Sequence, residues 1–248
     1  MILSERNARP TRELVLLGAS GSIGATTRRF LHEEGQIRLH AASVHRSLDC
    51  LADLVTLGLR RLAITDAETF AKNFHRIQRE YPDLILYEME EGLLRMLEDS
   101  KQSGADTVLT AIVGAAGLLA TIRAIELRYK IALANKETLV TAGPVIRSLL
   151  LSIPEKERPP MLPVDSEHNS LFQLLELVRP ESVRRLILTA SGGPFRTTPL
   201  SDLPGVNREQ VLSHPTWSMG PKITVDSAGM INKGLEVIEA HFLFGRPY

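Results

Sequence analysis

Three acidic residues offer the clearest chemistry in the sequence. Asp165 and Glu167 stand two apart in Asp165-Ser166-Glu167-His168-Asn169, and Glu236 closes Asn232-Lys233-Gly234-Leu235-Glu236. Hard divalent cations such as Mg²⁺ or Mn²⁺ take oxygen ligands of this kind. On an extended segment, side chains at i and i+2 leave on the same face, so Asp165 and Glu167 are expected to point together. A polar helix cap explains the same pair equally well. For Glu236 or Glu239 alone, a solvated helix face is the simpler reading. His168 reads as a structural histidine in preference to a metal ligand.

Three further groups suit anions. Gly18-Ala19-Ser20-Gly21-Ser22-Ile23-Gly24 has the spacing G-x-x-G-x-x-G between a strand pattern and a helix pattern. Glycines there allow a tight turn and a close backbone approach to a pyrophosphate at a helix amino end. The second strand ends in Ser43-Val44-His45-Arg46-Ser47, where an NAD site would carry an acid. A guanidinium and a hydroxyl suit a 2′-phosphate, so NADP is favoured over NAD. A solvated Arg46 near Asp49 is the competing reading. Ser191-Gly192-Gly193 and Ser227, Asn232 and Lys233 offer hydroxyl, amide and ammonium donors to a phosphate ester, each weak alone. Asn135-Lys136-Glu137 follows a strand pattern, and is either a ligand site or a plain helix start. His214-Pro215-Thr216-Trp217-Ser218-Met219-Gly220 carries the sole tryptophan between a proline and a glycine, as a water-excluding lid would.

These groups need elements to hold them. Strand patterns occur at 13–17, 38–44, 62–65, 84–87, 107–112 and 130–133. Helix patterns separate them at 22–33, 48–57, 66–81 (with Asp66 as cap), 91–98 and 118–128. This alternation predicts βαβ units in a Rossmann-like, doubly wound parallel sheet. Residues 152–163 contain Pro154, Pro159, Pro160 and Pro163 around a charged run and read as a linker. The expected division is 1–151 for the nucleotide domain, 152–163 for the linker and 164–248 for an α/β (α+β) catalytic domain. In the last, 161–164, 185–188 and 223–226 read as strands, and 170–178 and 233–244 as helices.

Composition sets limits. The chain has 248 residues, with 29 Lys+Arg against 29 Asp+Glu, so its formal net charge is zero. That removes a general case for a nucleic-acid or membrane-surface protein. Cys50 is the one cysteine, which excludes an intrachain disulfide framework and fits a reducing, cytoplasmic compartment. The longest uncharged stretch, 107–122, is shorter than the ~20 residues of a membrane helix. Residues 1–12 lack the apolar core of a secretory signal and read as an arm ahead of the first strand.

In order along the chain, 18–24, 111–118, 133–137, 163–169, 190–195, 214–220 and 222–240 resemble the motifs of the 1-deoxy-D-xylulose 5-phosphate reductoisomerase family. The resemblance covers essentially residues 13–244. It implies NADPH-dependent, divalent-metal-dependent rearrangement and reduction of 1-deoxy-D-xylulose 5-phosphate to 2-C-methyl-D-erythrose 4-phosphate, in non-mevalonate isoprenoid biosynthesis. Ser20, Gly21, Ser22 and Ile23 would hold the pyrophosphate of NADPH, Arg46 and Ser47 its 2′-phosphate, and Asn135, Glu137 and Gly220 further parts. Asp165, Glu167 and Glu236 would bind Mg²⁺, Mn²⁺ or Co²⁺. Lys136, Ser166, Glu167, Ser191, His214, Trp217, Ser227, Asn232, Lys233 and Glu236 would contact the sugar phosphate. Of these, Lys136, Glu167, His214 and Lys233 would take the catalytic parts. The family is dimeric and carries a C-terminal helical domain; on this resemblance that domain is absent here and the catalytic domain is incomplete. Gly229 stands where the family usually has a small hydroxyl residue. Two alternatives remain: a chain that binds NADPH and metal without turnover, and an NADP-dependent oxidoreductase of the semialdehyde or homoserine dehydrogenase type. The latter explains the first 150 residues but not the three carboxylates with Ser227, Asn232 and Lys233.

Overall fold

The computed structural model describes residues 12–213 and 220–248. Two compact units divide them. Unit one runs to Asn135 and resumes at Ser148–Leu162; unit two comprises Lys136–Arg147 and Pro163–Tyr248.

Unit one is α/β. Along the chain come β1 (Arg12–Leu17), α1 (Ser22–Glu33), β2 (Ile37–Val44), α2 (Leu51–Thr56), β3 (Arg61–Ile64), α3 (Ala67–Glu80) and β4 (Ile85–Glu88). Then follow α4 (Met89–Gln102), β5 (Thr107–Thr110), α5 (Leu118–Glu126), β6 (Lys130–Leu133), α6 (Lys136–Ser152) and β7 (Met161–Pro163). The sheet order is β4-β3-β2-β1-β5-β6-β7, and β1 pairs in parallel with both β2 and β5. The order therefore reverses at β1/β5, where open α/β sheets bind ligands beyond the carboxyl ends of their strands. Parallel strands covered on both faces need apolar residues without alternation, and Val15, Leu16 and Leu17 of β1 are fully buried. The predicted cap of α3 is present: the Asp66 carboxylate accepts from the Thr69 amide at 3.0 Å. The sheet expectations differ from the structure chiefly at their ends. β5 stops at Thr110, because the chain leaves the ladder for a single 3-10 turn at Gly114–Gly117.

Unit two is mainly helical, with α7 (Ser166–Leu175), α8 (Arg208–Leu212), α9 (Pro221–Ala228) and α10 (Ile231–Phe244). Its share of α6 ends near a kink: Ala142 has a non-helical φ of −130°, and Pro144 lies two residues on. Proline lacks the amide for the i−4 bond and its ring crowds that turn. The Phe242 ring occupies the space a Cβ at Gly143 would need, so α10 packs on α6 only over a glycine. Two expected strands are absent. Residues 185–188 join no ladder, and Ile187 is 65% exposed; a β-rich segment forms a strand only where a partner edge exists. Residues 223–226 lie inside α9, whose first helical position is Pro221; that fixed φ starts the helix and overrides the β-branched run. The expected helix 170–178 begins earlier, at Ser166, and ends at Leu175. No helix among the described residues is long and apolar enough to cross a membrane.

Candidate active site

The glycine turn of unit one has the geometry of an anion cradle. Gly18 adopts φ +85°, and a Cβ there would fall 2.6 Å from the Ala111 carbonyl oxygen. Gly24 packs equally close on the Ala19 carbonyl, which seats α1 against the end of β1. The Gly18 amide donates to Ser43 Oγ at 3.0 Å, and the Ala19 amide to the Ser43 carbonyl at 2.8 Å. At the amino end of α1 no side chain caps and no acid occupies the first turn. The Ala25 amide bonds back to the Gly21 carbonyl, so the amides of Ser22, Ile23 and Gly24 precede that first helical bond. A cleft of about 440 Å³ lies over the turn, lined by Gly18, Ser20, Gly21, His45, Thr65 and Ala111–Val113 among others. Arg46 is 76% exposed at its side chain and pairs with Asp66 at 3.2 Å. Ser47 donates to Asp49 at 2.8 Å. Asn135 anchors this unit from within, its amide donating to the carbonyls of Ile112 and, at 2.8 Å, Gly114.

The carboxylates meet in unit two. Oxygens of Asp165, Glu167 and Glu236 lie within 4.8 Å of one another. Asp165 and Glu167 do not share an extended segment, as their i, i+2 spacing suggested. Asp165 is the residue before α7, Glu167 stands in its first turn, and Glu236 comes from α10. Asp165 makes no capping bond; it faces Lys136 Nζ at 2.5 Å. Glu236 is only 1% exposed, not on the solvated face that this residue suggested when taken alone. It accepts from Lys136 at 3.4 Å, from the Asn232 amide at 2.5 Å and from Lys233. Lys233 also reaches Glu167 at 3.1 Å. Burial opposes ionisation of Glu167, but the Ser166 hydroxyl and the Lys233 ammonium outweigh it and hold the carboxyl at about 2. Burial likewise disfavours the Lys136 ammonium, yet Asp165 and then Glu236 raise its pKa overall. Counted formally, three carboxylates against two ammonium groups leave one net negative charge. An all-oxygen set of this charge fits a hard divalent cation.

His168 and Glu239 brace this set. His168 is fully buried on α7; its Nε2 lies 2.8 Å from the Glu236 carbonyl, and its Nδ1 lies 3.1 Å from Glu239 Oε2. Burial pulls the imidazole pKa down, and the Glu239 carboxylate reverses the shift to a net rise. The same two residues form a second acidic group with Asp165, but their partners are those of an internal ion pair. Glu239, expected on a solvated face, is 1% exposed; a position three residues after Glu236 on the buried side of a helix was the available signal.

A second cavity of unit two, about 680 Å³, is lined by Ser166, Glu167, Thr189, Ser191, Gly193 and Arg196 among others. Gly193 (φ +68°) brings its backbone so close to Ser227 that a Cβ would lie 2.6 Å from that carbonyl. Gly193, two residues after Ser191, thus packs against the Ser227 backbone. Asn232 accepts from Lys136 at 2.8 Å. Arg196 escaped the sequence reading; a cation three residues after Ser191-Gly192-Gly193 was its signal. Glu137 pairs with Lys222 at 3.0 Å, and Gly220 precedes α9. His214 and Trp217 lie outside the described residues.

Residues 14–143 match the family described as 1-deoxy-D-xylulose 5-phosphate reductoisomerase, and residues 161–244 match its C-terminal domain family. The chain belongs to the 1-deoxy-D-xylulose 5-phosphate reductoisomerase family. Similar members of this family include that of Leptospira interrogans, 46% identical over 96% of this chain and 59% of the relative. That of Geobacillus kaustophilus is 46% identical over 94% of this chain and 59% of the relative. Among solved structures, a DOX-P reductoisomerase in complex with NADPH, fosmidomycin and magnesium superposes with a TM-score of 0.83 at 34% identity, over 94% of this chain and 58% of that one. The Zymomonas mobilis reductoisomerase in complex with NADPH gives 0.80 at 35% identity, over 96% and 59%. The chain spans about 59% of the length of the curated relatives it matches.

Proposed function

We propose that the chain carries the NADPH-binding and the metal- and substrate-binding parts of a 1-deoxy-D-xylulose 5-phosphate reductoisomerase. The reaction would convert that ketose phosphate to 2-C-methyl-D-erythrose 4-phosphate. The observation that carries the proposal is the convergence of Asp165, Glu167 and Glu236 with Lys136 and Lys233 in a member of this family. In domain terms, residues 1–151 serve the cofactor, 152–163 link, and 164–248 serve metal and substrate, with Lys136 contributing to the latter.

Asp165, Glu167 and Glu236 would hold Mg²⁺, Mn²⁺ or Co²⁺. The bound ion supplies Lewis acidity toward the substrate's carbonyl and hydroxyl oxygens. Lys136 and Lys233 balance negative charge around those oxygens, and each ammonium can hold or pass a proton at Nζ. Ser166 orients Glu167 through its hydroxyl, which donates at 2.6 Å. Ser191, Ser227, Asn232 and Lys233 bind the phosphate and anchor the substrate away from the reacting carbons, with Arg196 in the cavity that Ser191 lines. Ser20, Gly21, Ser22 and Ile23 receive the pyrophosphate of NADPH, Arg46 and Ser47 its 2′-phosphate, and Asn135, Glu137 and Gly220 complete that site. NADPH supplies the hydride. By the same resemblance, His214 and Trp217 would contact the substrate.

The protein would act as a homodimer in the cytoplasm on a small sugar phosphate, without nucleic acid or membrane; the zero net charge and the single, buried Cys50 support this setting. The test follows NADPH absorbance with 1-deoxy-D-xylulose 5-phosphate and Mn²⁺. Oxidation requiring both additions, and lost in E167Q, is the expected result. Oxidation that survives E167Q would favour a semialdehyde or homoserine dehydrogenase type of reaction. Binding of NADPH and Mn²⁺ without oxidation would reduce the role to a cofactor- and metal-binding chain.

A further inference from the structure

Unit one holds another concavity, a basic one, at the rim opposite the glycine turn. Glu13 and Arg38 lie near the amino ends of β1 and β2, Arg60 and Arg61 at the start of β3, and Ser103 just after α4. Together with His40 they line a cavity of about 660 Å³. Parallel strands put all these amino ends on one rim, whereas cofactors of open α/β sheets bind at the carboxyl rim.

The side chains form a built arrangement. His40 is 6% exposed; its Nδ1 lies 3.3 Å from Glu13 Oε2. Its Nε2 lies 3.0 Å from Arg61 Nη1, and Arg61 Nη2 donates to Ser103 Oγ at 2.8 Å. Because a guanidinium only donates, Nε2 must accept, and the proton of a neutral imidazole then sits on Nδ1 toward Glu13. Burial lowers the His40 pKa, and Arg61 and Arg60 add to this against Glu13. Arg61 thus has a fixed guanidinium but no carboxylate within ion-pair distance among the described residues. Its Nε is buried without an acceptor. The Arg38 and Arg60 side chains make no hydrogen bond or ion pair among the described residues. With His40 neutral, three guanidinium groups against Glu13 leave a net charge of 3 − 1 = +2 around the cavity.

We propose that this cavity binds a small phosphate-bearing anion, through Arg38, Arg60 and the preset Arg61. Guanidinium forks match phosphate oxygens two at a time, and a concave wall of one charge sign concentrates such anions. Pyrophosphate is the probe. Calorimetric titration into the whole chain should show one saturable site whose affinity falls at least about tenfold in R60A and further in the R38A/R60A double variant, at the scale of lost charge-assisted hydrogen bonds. Both arginines are exposed, so the variants should keep the wild-type melting midpoint, which separates lost binding from lost folding. Inorganic phosphate should compete for the site. Wild-type affinity in the double variant would overturn the proposal, as would the absence of saturable binding. Citrate binding as tight as pyrophosphate would overturn the assignment to phosphate.

Discussion

The two units use burial for different purposes. In unit one the buried side chains are overwhelmingly apolar, from Leu14 to Leu17 on β1 through Leu62 and Ile64 on β3 to Val108 and Ile131. In unit two, among the described residues, Leu139, Ala142, Ile146 and Ala240 are the buried hydrophobics. Against them stand Lys136, Thr138, His168, Thr224, Glu236 and Glu239. Large apolar side chains of unit two lie outside instead: Leu177 is 81% and Leu200 84% exposed. Unit one is thus stabilised by the transfer of hydrocarbon out of water. Unit two holds its interior by mutual satisfaction of charges, whose desolvation offsets much of their attraction. A sheet that only positions a cofactor loop can be built the first way. A set of groups that met a divalent cation and a phosphorylated substrate, as proposed, would have to be charged and fixed.

This contrast can be broken most severely at Lys136. K136A would leave Asp165 and the buried Glu236 without their shared cation, and removing one partner of a buried ion pair typically costs about 3–5 kcal/mol. Urea denaturation should show that loss, and added Mn²⁺ should recover part of it by binding the folded carboxylates. The matching test in unit one is L16A, at a fully buried site. It should cost about 2–5 kcal/mol through the cavity it opens, with no rescue specific to Mn²⁺. Equal rescue of both variants would erase the distinction between the units.

A smaller effect belongs to the exposed Arg46. R46A should weaken NADPH by about tenfold relative to NADH in fluorescence titrations, the low end for a charge-assisted hydrogen bond. An unchanged preference would return Arg46 to the solvated reading. The smallest effect concerns Asp66. Its carboxyl is held at about 2, first by the Thr69 hydroxyl and amide and then by Arg46, against an ordinary value of 3.8. A depressed folded pKa gives stability that is present above the unfolded value and lost as pH falls through the folded one. Urea midpoints of wild type and D66A should therefore differ at ~pH 5 and converge toward ~pH 2.

Much of the sheet was legible in the sequence because parallel, doubly covered strands appear as unbroken apolar runs; β1 and β6 are examples. Residues 185–188 and 223–226 misled for the converse reason. Their β-forming side chains carry a preference that a ladder must realise, and the first has no ladder while the second follows Pro221 into α9. The chemistry of Asp165, Glu167, Glu236, Lys136 and Lys233 could be read from residue type. Their pairing could not, since α6, α7 and α10 meet only in the fold. The same holds for the burial of Glu239 against His168, and for Arg196 beside Ser191.

The central claim is that the three carboxylates of unit two form one binding site for a divalent cation. Electron paramagnetic resonance titration of Mn²⁺ tests it directly, comparing wild type with the D165N/E167Q/E236Q triple variant. One tightly bound Mn²⁺ per chain, lost in the triple variant while the far-ultraviolet circular dichroism is retained, is the predicted result. Mn²⁺ bound as tightly by the triple variant, or no tight Mn²⁺ in the wild type, would contradict it.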